Sequence, residues 1–111
     1  KRNLFVERKD GIMQLRRGYS LEKGEKIIIV EDVITTARTI FETKEALKEY
    51  GVEVKGVACI VDRTQGKLDN EFKIYSLLKS SPVTYSPENC PLCKEGIELV
   101  KPGSREEKVK A

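Results

Sequence analysis

Two adjacent carboxylates, Glu31-Asp32, are closely followed by three hydroxyls, Thr35, Thr36 and Thr39, with Arg38 among them. At the mouth of a helix this order could divide a phosphorylated sugar between two kinds of group. A helix N-terminus offers free N–H groups and the positive end of its dipole to a phosphate. A carboxylate pair would repel that phosphate, and its natural partners are ribose hydroxyls or waters on a Mg²⁺ ion. The plainer alternative is that Glu31-Asp32 ends a strand and Thr39 caps a helix. Further along, Arg63 carries two parallel N–H donors suited to a planar carboxylate, though an Arg after a strand is by itself more readily a surface ion pair. Cys90-Pro91-Leu92-Cys93 is a CxxC: half a zinc knuckle, a redox pair, or two thiols in a tight turn. The remaining thiol, Cys59, lies in an apolar run and reads as a small core residue. With no His in the chain, hydrolases built on Ser-His-Asp or Cys-His and most catalytic zinc sites are excluded.

The elements that position these residues follow from hydropathy and turn signals. Residues 4–8 and 12–16 flank Asp10-Gly11, a strong signal for a two-residue hairpin turn. Residues 27–30, IIIV, form an apolar β-branched run without polar alternation, which predicts a strand covered on both faces, as in a parallel sheet. It is expected to stop at Glu31-Asp32. A helical pattern follows, with Ile40, Thr43, Leu47 and Tyr50 on one face and Gly51 placed to end it. Residues 54–61 predict a second buried strand ending at Asp62-Arg63. Residues 26–61 therefore read as a βαβ unit with a right-handed crossover. Residues 72–78 and 83–85 are candidates for two more short strands. The fold class expected is α/β, with a mainly parallel sheet and a central βαβ unit, preceded by a β-hairpin.

The 111 residues suit one domain, and a chain of this length buries enough surface to fold without staples. Lys and Arg number 21 against 18 Asp and Glu, too balanced to imply nucleic-acid binding. No run reaches the ~18 apolar residues of a membrane span. Three Cys, an odd number, fit reduced cytoplasmic thiols better than a secreted disulfide framework. The chain does not begin with Met, so it is expected to be processed or cropped.

The run IIIVEDVITTART (27–39) resembles the phosphoribosyl pyrophosphate (PRPP) motif of the type I phosphoribosyltransferases. FVERKDGIMQLRRGY (5–19), ACIVDR (58–63) and CPLCKEGIELVKPGSR (90–105) resemble, in the same order, segments of orotate phosphoribosyltransferases. The resemblance implies a Rossmann-like type I phosphoribosyltransferase core over residues 1–105, with 106–111 as a flexible charged tail. It implies a cytoplasmic enzyme of pyrimidine (UMP) biosynthesis that transfers ribose 5-phosphate from PRPP to orotate, with Mg²⁺ as cofactor and a homodimer as the assembly.

Site residues follow from the same resemblance. Glu31 and Asp32 would hold the ribose hydroxyls, and Mg²⁺ through water. Val33, Ile34, Thr35, Thr36, Ala37, Arg38 and Thr39 would complete the PRPP site, with residues 35–39 around the 5′-phosphate. Thr35 and Arg63 would meet orotate. Arg8 and Lys9 match the start of the family's mobile cationic loop, where the alternative is a pair of solvated hairpin charges. The family usually has Gly at Ala37 and a small residue or Thr at Arg38. Ala serves there only if φ stays negative, and Arg38 either clamps the phosphate or points to solvent. Family members also carry an N-terminal region that this sequence lacks, so another segment or polypeptide is expected to complete the site. A transferase for another base, and a non-catalytic PRPP-sensing regulator or partner subunit, are the alternatives.

Overall fold

Asp10 and Gly11 take φ of 51° and 80°, the paired positive values of the turn whose twist suits a two-residue hairpin. That turn joins β1 (Val6–Lys9) to β2 (Ile12–Leu15), antiparallel, with Val6 opposite Leu15. The computed structural model describes residues 1–98 and 100. The charged tail expected at 106–111 lies outside the described residues. The chain divides into two units, Lys1–Ser81 and Pro82–Ala111, a boundary inside the span expected as one domain.

In the first unit, β3 (Lys26–Ile34), β4 (Glu53–Asp62) and β5 (Ile74–Lys79) form a parallel sheet with β4 in the centre. The helix α1 (Arg38–Leu47) connects β3 to β4, so the expected βαβ unit is present. It buries Ile40, Thr43 and Leu47, three of the four positions placed on its inner face. A 3₁₀ turn, Lys48–Tyr50, follows, and Gly51 ends it at φ 64°, a left-handed conformation that Gly adopts without a Cβ clash.

The core lies between α1 and one face of the sheet. Ile29, Ile34, Ala37, Ile40, Val57, Cys59 and Phe72 form one cluster. Cys59 is thus the core thiol that its apolar run predicts. Phe72 precedes β5 and meets Phe41 edge-on, with ring centroids 5.0 Å apart, a favoured aromatic geometry. Burying a side chain such as Ile40 stabilises the fold by about 1.5–3 kcal/mol.

The opposite face of the sheet departs from the expectation of cover on both sides. Ile28, Val30, Ile60, Tyr75 and Leu77 are exposed there, Leu77 at 86%. α1 packs on the other face, and β2 in turn packs against α1. The fourth strand expected at 83–85 does not form. These residues are exposed and irregular, and Pro82 and Pro87 on either side lack the N–H that a ladder uses. In the second unit a 3₁₀ turn, Pro87–Asn89, leads into the one-turn helix α2 (Pro91–Lys94).

Candidate functional site

β3 does not stop at the acids. It continues through Glu31 and Asp32, and Val33 and Ile34 still pair with Val61 and Asp62 of β4. Two more β-branched residues extend the ladder beyond the expected end. Successive strand residues face opposite sides, so the two carboxylates diverge. Glu31 follows Ile29 on the face that carries α1 and is half-buried, whereas Asp32 is exposed. Burial first, and the Asp32 charge second, push the Glu31 carboxyl above its ordinary value. Asp32 Oδ1 accepts the N–H of Val33 at 2.7 Å.

Behind the strand end the chain curls into a small hollow lined by Glu31 and residues 33–40. Eight of the nine residues assigned to PRPP meet there, counting Glu31 and residues 33–39, and Asp32 does not line it. Ala37 is buried and precedes α1 at φ 56°. The negative φ that would make Ala a simple substitute for Gly is therefore not adopted. Ala37 holds the left-handed conformation, at a cost of about 1–2 kcal/mol for a residue with a Cβ. Arg38 opens the helix, so Thr39 is not its cap, and no side chain among the described residues caps the first turn. The leading N–H groups of α1 consequently face the loop without a side-chain acceptor. Thr35, Thr36 and Thr39 are exposed.

Three charged side chains meet around Glu42 of α1, and of them Arg38 lines the hollow. Arg38 Nε donates to Glu42 Oε1 at 2.9 Å, one helical turn on. Arg8, on β1, donates through Nη2 to the other oxygen, Glu42 Oε2, and through Nη1 to the Gly11 carbonyl at 3.0 Å. The two guanidinium groups hold the Glu42 carboxyl below its ordinary range, Arg8 contributing most. Arg8 is thus tied to α1 while its side chain stays 41% exposed, and Lys9 beside it is exposed too. Nothing in the sequence reading singled out Glu42. The signal was present in its spacing of four from Arg38.

At the end of β4, the Arg63 N–H donates to the Ile34 carbonyl at 2.8 Å, which brings Arg63 beside the loop. Its side chain is half-buried, and among the described residues its Nε is buried without a hydrogen-bond partner. Asp62, buried, accepts the Thr64 N–H at 2.8 Å. Burial pushes its carboxyl up. The N–H bond from Thr64 and the charge of Lys79 outweigh that and leave it below its ordinary value.

In the second unit, Cys90 precedes α2 and is half-buried, and Cys93 within it is exposed. The N–H and thiol of Cys93 lower Cys90, and Cys90 in turn raises Cys93. Among the described residues no group of three or more His, Cys, Asp or Glu side chains is placed to hold a metal. No helix there is long and apolar enough to cross a membrane.

Comparison with known proteins gives this geometry a family. Residues 3–92 match the phosphoribosyl transferase domain. The orotate phosphoribosyltransferase of Caldicellulosiruptor bescii is 55% identical over 104 residues, covering 94% of this chain and 55% of that protein. The enzyme of the same name from Thermotoga maritima is 52% identical over 104 residues, covering 94% and 56%. The chain thus spans about half the length of these curated relatives. Among solved structures, Mycobacterium tuberculosis orotate phosphoribosyltransferase in complex with inorganic phosphate superposes with a TM-score of 0.53 at 26% identity, covering 68% of this chain and 44% of that one. The adenine phosphoribosyltransferase of Thermoanaerobacter pseudethanolicus shares the fold, with a TM-score of 0.54 at 18% identity over 70% of this chain and 48% of that one. A strand running through two acids into a capless helix, matched over most of the chain's length, makes this chain a member of the phosphoribosyl transferase domain family.

Proposed function

We propose that this chain carries the PRPP-binding part of an orotate phosphoribosyltransferase of pyrimidine biosynthesis, acting in the cytoplasm as a homodimer. The observation that carries the reading is the hollow lined by Glu31 and residues 33–40, with uncapped N–H groups of α1 beside it. Relatives at about half identity bear the name orotate phosphoribosyltransferase.

In this reading the N–H groups of α1 and the hydroxyls of Thr35, Thr36 and Thr39 bind the 5′-phosphate. Glu31 and Asp32 accept the ribose hydroxyls, and their opposed directions require the sugar to lie across the strand end. Arg63, whose Nε lacks an acceptor among the described residues, pairs with the orotate carboxylate, and Thr35 also approaches the base. A bond from N1 of orotate to the anomeric carbon forms as the bond to the pyrophosphate oxygen breaks. The protein orients the partners and stabilises the charge that develops. The donors at the acids are oxygens only, as a hard cation prefers. Glu31, on the hollow, and Asp32 would hold Mg²⁺ through water, and the metal when bound neutralises charge on the pyrophosphate.

A second reading is favoured by Ala37 at φ 56° beside Arg38: a PRPP sensor that binds without turnover. Calorimetry with PRPP and Mg²⁺, paired with a product assay on orotate, uracil and hypoxanthine, separates the two. Orotidine 5′-phosphate formation supports the transferase, and binding alone supports the sensor. Failure of PRPP to bind, or unchanged affinity in Asp32→Asn, overturns the assigned site.

A further inference from the structure

We infer that Glu42 is a positioning residue for the phosphate loop, holding Arg38 by its Nε and leaving its two terminal nitrogens for an incoming phosphoryl anion. This rests on the reading of residues 35–39 as the phosphate loop.

The two arginines are bound differently. Arg8 spends both terminal nitrogens inside the protein, one on Gly11 and one on Glu42. Its role is structural, pinning the hairpin to α1. Arg38 gives Glu42 only its Nε, and 80% of its side chain remains accessible. The terminal nitrogens form the edge of a guanidinium that grips a phosphoryl group with two parallel bonds. An exposed Arg otherwise samples many rotamers, and ordering them on binding costs affinity. A carboxylate clamped on Nε removes much of that freedom before the ligand arrives. Glu42 is itself fixed from its other oxygen by Arg8, so the hairpin, the helix and the loop cation move as one assembly. The bulky residue at position 38 then works as an added phosphate contact in place of the Gly-rich turn that Ala37 interrupts.

Net charge alone predicts the opposite of this proposal. Removing the Glu42 carboxylate leaves two cations beside the loop and should tighten binding of any anion. The sign of the effect therefore distinguishes positioning from simple charge.

The test is a double-mutant cycle on the whole chain with Glu42→Gln and Arg38→Ala, titrated with PRPP–Mg²⁺ and separately with pyrophosphate. Circular dichroism melts confirm that each variant is folded. Arg38→Ala is expected to weaken binding roughly tenfold, the loss of a charge-assisted contact. Glu42→Gln is expected to weaken it roughly threefold or more, and to weaken nothing further in the Arg38→Ala background. Tighter or unchanged binding in Glu42→Gln overturns the inference. So does an equal loss in both backgrounds, the mark of a merely structural role. PRPP binding without this coupling sinks the inference and leaves the functional reading standing. Coupling seen with pyrophosphate but no PRPP binding does the reverse, and binding of neither ligand sinks both.

Discussion

Glu31 and Asp62 stand near the ends of neighbouring strands and titrate in opposite directions for reasons written in their surroundings. Asp62 has a donor, Thr64, at 2.8 Å and the charge of Lys79. Glu31 has only burial and a like charge. For Asp62, whose folded value lies below the ordinary 3.8, the stabilising contribution is complete above that ordinary value. It is lost as pH falls through the lowered one. For Glu31, raised above the ordinary 4.5, the charged form disfavours the fold as pH rises through that value and beyond. Glu31→Gln is therefore expected to raise stability near pH 7 and to have no such effect near pH 3. Asp62→Asn is expected to flatten the acid limb of the stability curve. Asp62→Ala should cost about 1–3 kcal/mol near pH 7, since the Thr64 N–H loses its acceptor. Urea unfolding across this pH range checks all three. A Glu31→Gln gain that persists into acid would refute the assigned cause.

Ala37 poses a second question at this scale, because its conformation and its packing oppose each other. Replacing it with Gly relieves about 1–2 kcal/mol of left-handed strain. The same change removes a buried methyl, about 0.8 kcal/mol, and adds about 0.4–1 kcal/mol of unfolded-chain entropy. Ala37→Gly should therefore shift stability by no more than about 1 kcal/mol either way. Ala37→Val adds a β-branch where φ is positive and crowds the core, and should cost at least about 2 kcal/mol. Thermal melts of the two variants decide it. A tolerated Val would mean that the backbone at residue 37 is not held at positive φ.

At the scale of elements, the sequence was legible wherever local chemistry and packing agreed. Asp10-Gly11 marked the hairpin because only such residues take two positive φ angles cheaply. IIIV marked β3, and the spacing of Ile40, Thr43 and Leu47 marked the inner face of α1. Legibility failed where a tertiary partner decided. The ladder offered by Val61 and Asp62 drew β3 on to Ile34, so the acids ended on opposite faces, which no run of hydropathy reveals. Glu42 escaped notice because its second partner, Arg8, lies 34 positions away. Within the second unit, the short turn from Cys90 to Cys93 lets two thiols of one motif differ. Cys90, lowered by the N–H and thiol of Cys93, is expected to alkylate faster than Cys93 near neutral pH, although Cys93 is more exposed. Mass-spectrometric mapping after limited iodoacetamide treatment measures the order. Faster labelling of Cys93 would show that exposure, not thiolate content, governs this pair.

On the scale of the whole molecule, the sheet is apolar on both faces and, among the described residues, covered on one. Parallel sheets are ordinarily packed on both sides, which is why their strands read as continuous apolar runs. Here Val30 is 74% and Leu77 86% exposed, and Ile28 and Ile60 lie on the same side. Contiguous apolar surface of this kind binds hydrophobic dyes and favours association. Substitutions at truly exposed positions change stability by less than about 0.5 kcal/mol, whereas a charge placed in a covered position costs several times more. Leu77→Lys in this chain should therefore leave the melting temperature nearly unchanged while reducing both dye fluorescence and concentration-dependent sedimentation. Ile40→Ala, on the covered face, should by contrast cost about 2–5 kcal/mol. If Leu77→Lys destabilises the chain as strongly as Ile40→Ala does, the outer face is packed in solution. The one-sided core between α1 and the sheet would then be an incomplete description of how this chain folds.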